Sequence, residues 1–258
     1  MPLPRVYQTE AIVIRKMNLG EADRLLTLYT PSLGKLKAVA KGVRRPQSKL
    51  GGNVELLTHS QLLLARGRNL DIITQSQTID SFMSLKTDLQ RASWALYLAE
   101  LVDRFTPEHM ASPALFELLL RTLMRLGGDD GGELALRYFE LHLLEFVGYR
   151  PQLSHCPACN AELPSSARLV FSPVAGGVLC FKCYASEPEA CSLSTDAVRV
   201  LCHLQSSDFE ASLKAELSPE LSIEMRRALQ EYIGYILEGR VRSAAWLSQI
   251  RGMERAYP

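Results

Sequence analysis

Over the first 80 residues, apolar positions come in short runs or strict alternation, and the spacing predicts strands. The runs cover residues 11–14, 25–29, 36–40, 54–65 and 70–77. Turn-forming clusters separate them: Asn18-Leu19-Gly20, Pro31-Ser32-Leu33-Gly34, Gly51-Gly52-Asn53 and Arg66-Gly67-Arg68-Asn69. Five short strands this closely spaced suit a small antiparallel barrel or a sandwich, and the pattern alone does not choose between them.

Near residue 82 the period changes from 2 to 3.6. Leu85, Leu89, Ala92, Leu96 and Ala99 are spaced to share one helical face. Ser112 as N-cap and Pro113 in the first turn predict a second helix running to Leu126. Residues 127–132, Gly-Gly-Asp-Asp-Gly-Gly, read as a helix connector; a phosphate cradle calls for basic neighbours, not acidic ones. The next helix, residues 133–147, is apolar on two faces (Leu134, Tyr138, Leu141; Leu136, Phe139, Leu143), which places it inside a bundle. Residues 150–191 interrupt the periodicity with Pro, Ser, Gly and Cys. It resumes after Ser194, another N-cap candidate, and over Leu221, Met225, Leu229, Tyr232 and Ile236. The expected organisation is a β domain at 1–80, then a helical domain at 81–258 that carries a Cys-rich insertion at about 150–190.

That insertion holds Cys156-Pro-Ala-Cys159 and Cys180-Phe-Lys-Cys183, two Cys-x-x-Cys pairs. The spacing is that of a four-thiolate zinc site. Four thiolates leave no position for a reactive water, so the expected Zn2+, one per chain, is structural. The alternative reading of the same pairs is a disulfide redox switch. Gly176-Gly177 suits a hairpin bending close to the metal. His155 reads as a neighbour rather than a ligand, and Cys191 and Cys202 as small buried residues.

Charge changes the picture once it is resolved along the chain. The whole carries 29 basic and 28 acidic residues, a net +1. Residues 1–80 hold 12 Lys/Arg against 6 Asp/Glu, leaving 17 against 22 for the remainder, so +6 is offset by −5. Lys35, Lys37, Lys41, Arg44, Arg45 and Lys49 fall within fifteen residues that contain no carboxylate. Lys35 and Lys37 share one strand face, and the rest lie in a Gly/Pro-containing loop. Arg15, Lys16, Arg24, Arg66 and Arg68 add to them. Such a surface is a track for phosphates. Only Tyr7 and Tyr29 are aromatic there, so binding is expected to be electrostatic, with weak sequence preference. Neutralising about five phosphates on a single strand gives a log–log salt slope of roughly −3.5.

The chain has no Walker A loop, no Gly-x-Gly-x-x-Gly, no His-Glu-x-x-His and no Gly-x-Ser-x-Gly, and its five histidines are scattered. A binding protein is expected, not an enzyme. No apolar run reaches membrane-spanning length and the N-terminus lacks a signal-like core, so a cytoplasmic chain is expected.

Several stretches resemble the bacterial RecO recombination-mediator family. They are Glu10-Ala-Ile-Val-Ile-Arg15, Gly20-Glu-Ala-Asp-Arg24-Leu-Leu-Thr, Gly34-Lys-Leu-Lys-Ala-Val-Ala-Lys41-Gly-Val-Arg44-Arg45 and Gly67-Arg68-Asn-Leu. Leu136-Arg137-Tyr-Phe139-Glu140, Gly148-Tyr149-Arg-Pro151, the four cysteines and Gly239-Arg240-Val-Arg242-Ser243 follow in order. The resemblance covers nearly the whole chain. It implies an α+β fold: a five-stranded OB-fold barrel, then a helical domain with an inserted four-Cys zinc module. It also implies a protein, monomeric on its own, that binds single- and double-stranded DNA and anneals complementary strands. With RecR, such a protein helps RecA replace single-strand-binding protein (SSB) during repair at the bacterial nucleoid. Some members lack the cysteines, so zinc is not required for that activity as such. The family's DNA contacts match Lys35, Lys37, Lys41, Arg44 and Arg45 here, and its contact to the acidic SSB tail matches Arg137. Some members carry a second Arg after it, where this chain has Tyr138. Two readings of other classes are a zinc-containing adaptor for RNA or acidic proteins, and a redox-switched chaperone.

Overall fold

The first strand is longer than its apolar centre. In the computed structural model, which describes residues 5–128, 132–164, 169–184, 191–212, 217–239, 241 and 243, β1 runs Val6–Leu19. It is followed by β2 (Asp23–Thr30), β3 (Gly34–Ala40), a short 3₁₀ turn (Gly51–Val54), β4 (His59–Ala65) and β5 (Asp71–Asp80). The first half of β1 pairs with β4 and the second half with β2, both antiparallel. Its register shifts between Val13 and Arg15, a bulge that bends the strand from one partner to the other. A short parallel pairing of Ala38–Val39 with Asp71–Ile72 closes the sheet in the order β1-β2-β3-β5-β4. Sequence pattern left barrel and sandwich open; the closed OB-like barrel is what forms. Its core is Ala11, Val13, Leu26, Leu28, Leu36, Ala38, Leu62, Leu64 and Ile73, with Val43 and Val54 plugged in from the connecting loop.

The chain divides into two compact units, one comprising the described residues up to Gly128, the other lying within residues 129–245. The first three helices therefore belong with the barrel: α1 (Met83–Thr87), α2 (Leu89–Phe105) and α3 (Pro113–Leu126). One expectation fails here. Asp88 is extended (φ −112°, ψ 124°) and caps α2 by accepting from the amide of Arg91, so Leu85 and Leu89 sit on different helices. Leu89 is exposed, and the buried face of α2 is instead Ala95, Leu98, Ala99 and Val102 with Tyr97 and Leu101. Ser112 does cap α3, accepting from the amide of Leu115. Phe116 on α3 stacks against Tyr29 and meets His59 edge-on, so the helices cover one outer face of the barrel.

The second unit contains α4 (Gly132–Phe146), β6 (Leu169–Ser172), β7 (Gly177–Leu179), β8 (Cys191–Leu193), α5 (Thr195–Ser206), α6 (Phe209–Ser212) and α7 (Pro219–Ile236). Both apolar faces of α4 are buried, and it packs on α5, α6 and α7. Ser194 caps α5 through the amide of Ala197, and its own amide and hydroxyl are held by Glu224. Residues 129–131 of the acidic connector and 240 and 242 of the last family motif lie outside the described residues. Among the described residues no helix is long and apolar enough to cross a membrane.

Gly34 opens β3 with φ +67°, and a Cβ there would stand 2.1 Å from the Met110 carbonyl oxygen. Backbone cannot yield as a flexible side chain does, so the clash adds to the left-handed strain. Gly34→Ala should lower the thermal stability of the barrel unit by more than 2 kcal/mol's worth, an estimate of roughly this order for strain plus contact, read by thermal denaturation with barrel-specific probes.

Candidate functional site

Each Cys-x-x-Cys pair sits in a tight knuckle. The amide of Asn160 donates to the Cys156 carbonyl at 2.8 Å, and Asn160 takes φ +57° to turn the chain back. The second knuckle follows the β6–β7 hairpin, with the amides of Cys183 and Tyr184 donating to the Cys180 carbonyl. The four sulfurs converge within 4.8 Å of one another, and Cys159 Sγ lies 3.7 Å from Cys180 Sγ. A tetrahedron with metal–sulfur bonds of about 2.3 Å has edges of about 3.8 Å, so the donor set has the size a zinc ion needs. Burial pushes the Cys156 thiol up, yet the amides of Cys180, Cys159 and Ala158 donate to its sulfur and bring it down to about 6. Cys183 is pushed up to about 12 by the thiols of Cys159 and Cys180 hydrogen-bonded to it. Four thiolates this close together repel one another unless a cation stands among them. Gly177 serves a different purpose from the one expected. A Cβ there would lie 2.3 Å from the Gln152 carbonyl oxygen, because Gln152 runs beside β7 and bonds to Gly176 and Val178. His155 is exposed and bonded to Ser154, outside the cluster, while Cys202 donates to the Leu153 carbonyl.

The basic residues of the barrel separate into two groups, and strand register decides which. Arg15, Thr27 and Lys37 lie directly opposite one another across β1, β2 and β3, so they share a face with Lys35. That is the face the helices cover. Lys35 is only 8% exposed, with its ammonium bonded to the carbonyl and carboxylate of Asp103 on α2. Arg15 pairs with the same carboxylate at 3.4 Å. Lys37 pairs with Glu108 at 2.5 Å, and that contact holds the Glu108 carboxyl below its usual range. The segment after α2 runs beside β3, the amide of His109 donating to the Lys35 carbonyl. Lys35 therefore spends two of its three ammonium donors on Asp103 in a buried setting, which leaves it less accessible to a phosphate than a solvent-facing lysine. Arg15 and Lys37 are rim residues bridged to the helical layer.

The loop after β3 is different. Val43 is buried in the core, Gly42 bonds through its amide to Asp23, and the Arg44 amide bonds to the Ala22 carbonyl. These ties fix the loop against the β1–β2 turn. Lys41, Arg44, Arg45 and Lys49 all face solvent, and among the described residues none has a carboxylate partner; Arg44 donates one N–H to the Gly20 carbonyl at 3.2 Å. Arg24 and Lys16 stand beside them but converge on Glu55, each at 2.5 Å. Arg66 lies over the Tyr7 ring, whose hydroxyl donates to Asp71, so this arginine helps tie β1 to the β4–β5 hairpin. Sequence reasoning missed all the partner carboxylates. Glu108 lies 71 positions beyond Lys37, and no local pattern links them.

Arg137 is in the second unit, on α4. It is 4% exposed and bonds through Nη2 to Oε1 of the fully buried Glu140 at 3.0 Å; Nη1 has no hydrogen-bond partner among the described residues. The expected fork for a carboxylate therefore exists, but Glu140 fills half of it and neither group reaches the surface.

Known families account for the chain in two adjoining parts. The profile described as Recombination protein O N terminal matches residues 4–82, and that described as Recombination protein O C terminal matches residues 86–245. The chain is 46% identical over 251 residues to the DNA repair protein RecO of Roseiflexus sp. (strain RS-1), an overlap of 97% of this chain and 88% of that one. It is 39% identical over 250 residues to the DNA repair protein RecO of Dehalococcoides mccartyi (strain 195), covering 97% and 98%. Against the DNA repair protein RecO of Symbiobacterium thermophilum the identity is 38% over 248 residues, covering 95% and 98%.

Two outcomes follow from the side-chain geometry. Arg137→Ala removes a cation bonded to the buried Glu140 carboxylate, which should destabilise the fold by on the order of 3 kcal/mol; chemical denaturation measures it, and Arg137→Met with Glu140→Leu should recover much of the loss. Purified protein should hold one zinc ion per chain by elemental analysis. Cys180→Ser should abolish that metal and expose residues 150–193 to proteolysis while the barrel's hydrogen-exchange protection is unchanged.

Proposed function

The chain belongs to the RecO family of DNA-repair recombination mediators, and on that premise we propose that it is a non-enzymatic mediator that binds single- and double-stranded DNA along the basic loop of its barrel. It anneals complementary strands and, with RecR, helps RecA load onto strands coated by SSB, in the cytoplasm. The observation that carries the reading is the set of four solvent-facing cations, Lys41, Arg44, Arg45 and Lys49, on a loop anchored by Val43. Anchoring matters because a floppy basic loop loses side-chain and backbone entropy on binding, whereas this one presents its charge already placed. Annealing then requires no nucleotide hydrolysis. Neutralised phosphates repel less, and base pairing supplies the driving force.

In this reading the metal is a structural zinc held by Cys156, Cys159, Cys180 and Cys183. It stabilises a segment that has little core of its own: Leu179 and two of the cysteines, with Leu163 and Ala175 packed on them. The acidic tail of SSB is the proposed partner of the helical unit. It reaches Arg137 by displacing Glu140 from Nη2, so its binding is coupled to opening of that pair.

Lys41, Arg44, Arg45 and Lys49 predict a salt slope of about −2.8 on single strands, four cations at about 0.7 each. This is shallower than the roughly −3.5 expected for about five neutralised phosphates. Changing the four to Ala should weaken binding of a labelled oligothymidine by more than tenfold at low salt and flatten its slope by about 2.8, with melting temperature unchanged. Unaltered affinity and slope would place the DNA elsewhere.

A further inference from the structure

Glu55 gathers two cations of the β1–β2 hairpin onto one carboxylate. It follows the 3₁₀ turn whose Val54 is buried in the barrel core, and Asn53 in that turn is tied by its side chain to Ser76 and Thr78. Lys16 and Arg24 project from the β1–β2 hairpin where it runs past the core, and both bond to this one carboxylate. A third cation, Lys86, donates to Thr58 close by. We propose that Lys16 and Arg24 form a phosphate-binding position on the DNA track, which Glu55 occupies as an internal competitor until a strand phosphate displaces it. The proposal rests on the DNA-binding reading above and extends it to residues outside the basic loop.

Three features favour an exchange site over a fixed ion pair. The first is access: the Glu55 side chain is 37% exposed and that of Lys16 36%, so solvent and ligand reach both. The Lys35–Asp103 pair shows the contrast, because there the cation is buried and its partner is on a helix packed over it. The second is chemistry. A carboxylate and a phosphodiester are interchangeable acceptors for an ammonium beside a guanidinium, since both offer two anionic oxygens to charge-assisted hydrogen bonds. Burial pushes the Glu55 carboxyl up, but the hydrogen bonds from Lys16 and Arg24 outweigh it and keep the group ionised. The third is position. Arg24 is opposite Ala40, the residue before Lys41, and the basic loop is bonded to the β1–β2 turn at Gly20, Ala22 and Asp23. A backbone lying along the loop therefore arrives at Arg24.

Displacing Glu55 leaves its charge nearby, so the strand gains less than two more cations would give. The consequence is binding weaker than the cation count predicts, and easier release.

Glu55→Gln keeps the shape and removes the competing charge. Its affinity for a labelled oligothymidine, measured over a series of salt concentrations, should rise about three- to tenfold at moderate salt. Its salt slope should steepen by up to about 1.4, two further cations at about 0.7 each. Adding Lys16→Ala and Arg24→Ala to the same chain should erase the gain, and melting curves check that all variants fold. If the wild type binds DNA through the loop but Glu55→Gln binds no more tightly, the exchange site is wrong while the DNA reading stands. If the wild type binds no DNA at any salt, the DNA reading fails and the phosphate position falls with it.

Discussion

Closure of the five-stranded sheet is the constraint from which the placement of the other groups follows. A single strand, β1, serves as neighbour to both β4 and β2, and it can do so only because the bulge at Val13–Arg15 bends it between them. Closure fixes the parity of every strand: Leu26, Leu28, Leu36 and Ala38 point into the core, so Thr27, Lys35, Lys37 and Val39 point outward. The outward face of β2 also carries Tyr29, which stacks on Phe116 of α3, and α2 and α3 cover that face. Once they do, lysines on that face must be desolvated or bridged. Asp103 and Glu108 are the carboxylates that make the covering possible.

That explains why part of the site was legible in the sequence and part was not. The five strands, the cap at Ser112, the burial of α4 and the four-sulfur cluster all depend on contacts or spacings within a few residues, which a linear pattern carries. The basic segment from Lys35 to Lys49 is equally visible as a run of charge. What the run does not carry is which of its members face solvent, because that depends on partners contributed by α2 and the segment after it. Alternation places Lys35 and Lys37 on one strand face, but it does not carry that Asp103 and Glu108 meet them there. The α2 stripe failed for a related reason, since one extended residue, Asp88, resets the helical phase between Leu85 and Leu89.

Arg137 and the four-cysteine cluster show how differently burial acts within the second unit. An Arg three residues before a Glu on a helix is ordinarily a surface pair worth a few tenths of a kcal/mol. With Glu140 wholly buried, breaking the pair on one side alone costs far more than that. The cysteines carry the opposite case. Their cluster is partly exposed, with Cys159 at the surface, and backbone amides aimed at sulfur add order to a very small apolar core. Such a module is stable to the extent that a cation balances its thiolates.

A mediator that pairs two strands must hold each long enough to meet its complement and then let the duplex go. Affinity built purely from unpaired cations works against the second requirement, because every added phosphate contact slows release. Cations already satisfied by an internal carboxylate behave differently: they contribute when a strand is present and return to their partner when it leaves, without ever being stranded. On the proposed reading, the barrel combines both kinds, four open cations on the anchored loop and two held at Glu55. The near-neutral whole-chain charge fits the same logic. Acidic side chains are not merely located elsewhere in the molecule; some stand among the basic ones, where they limit how tightly the surface can grip.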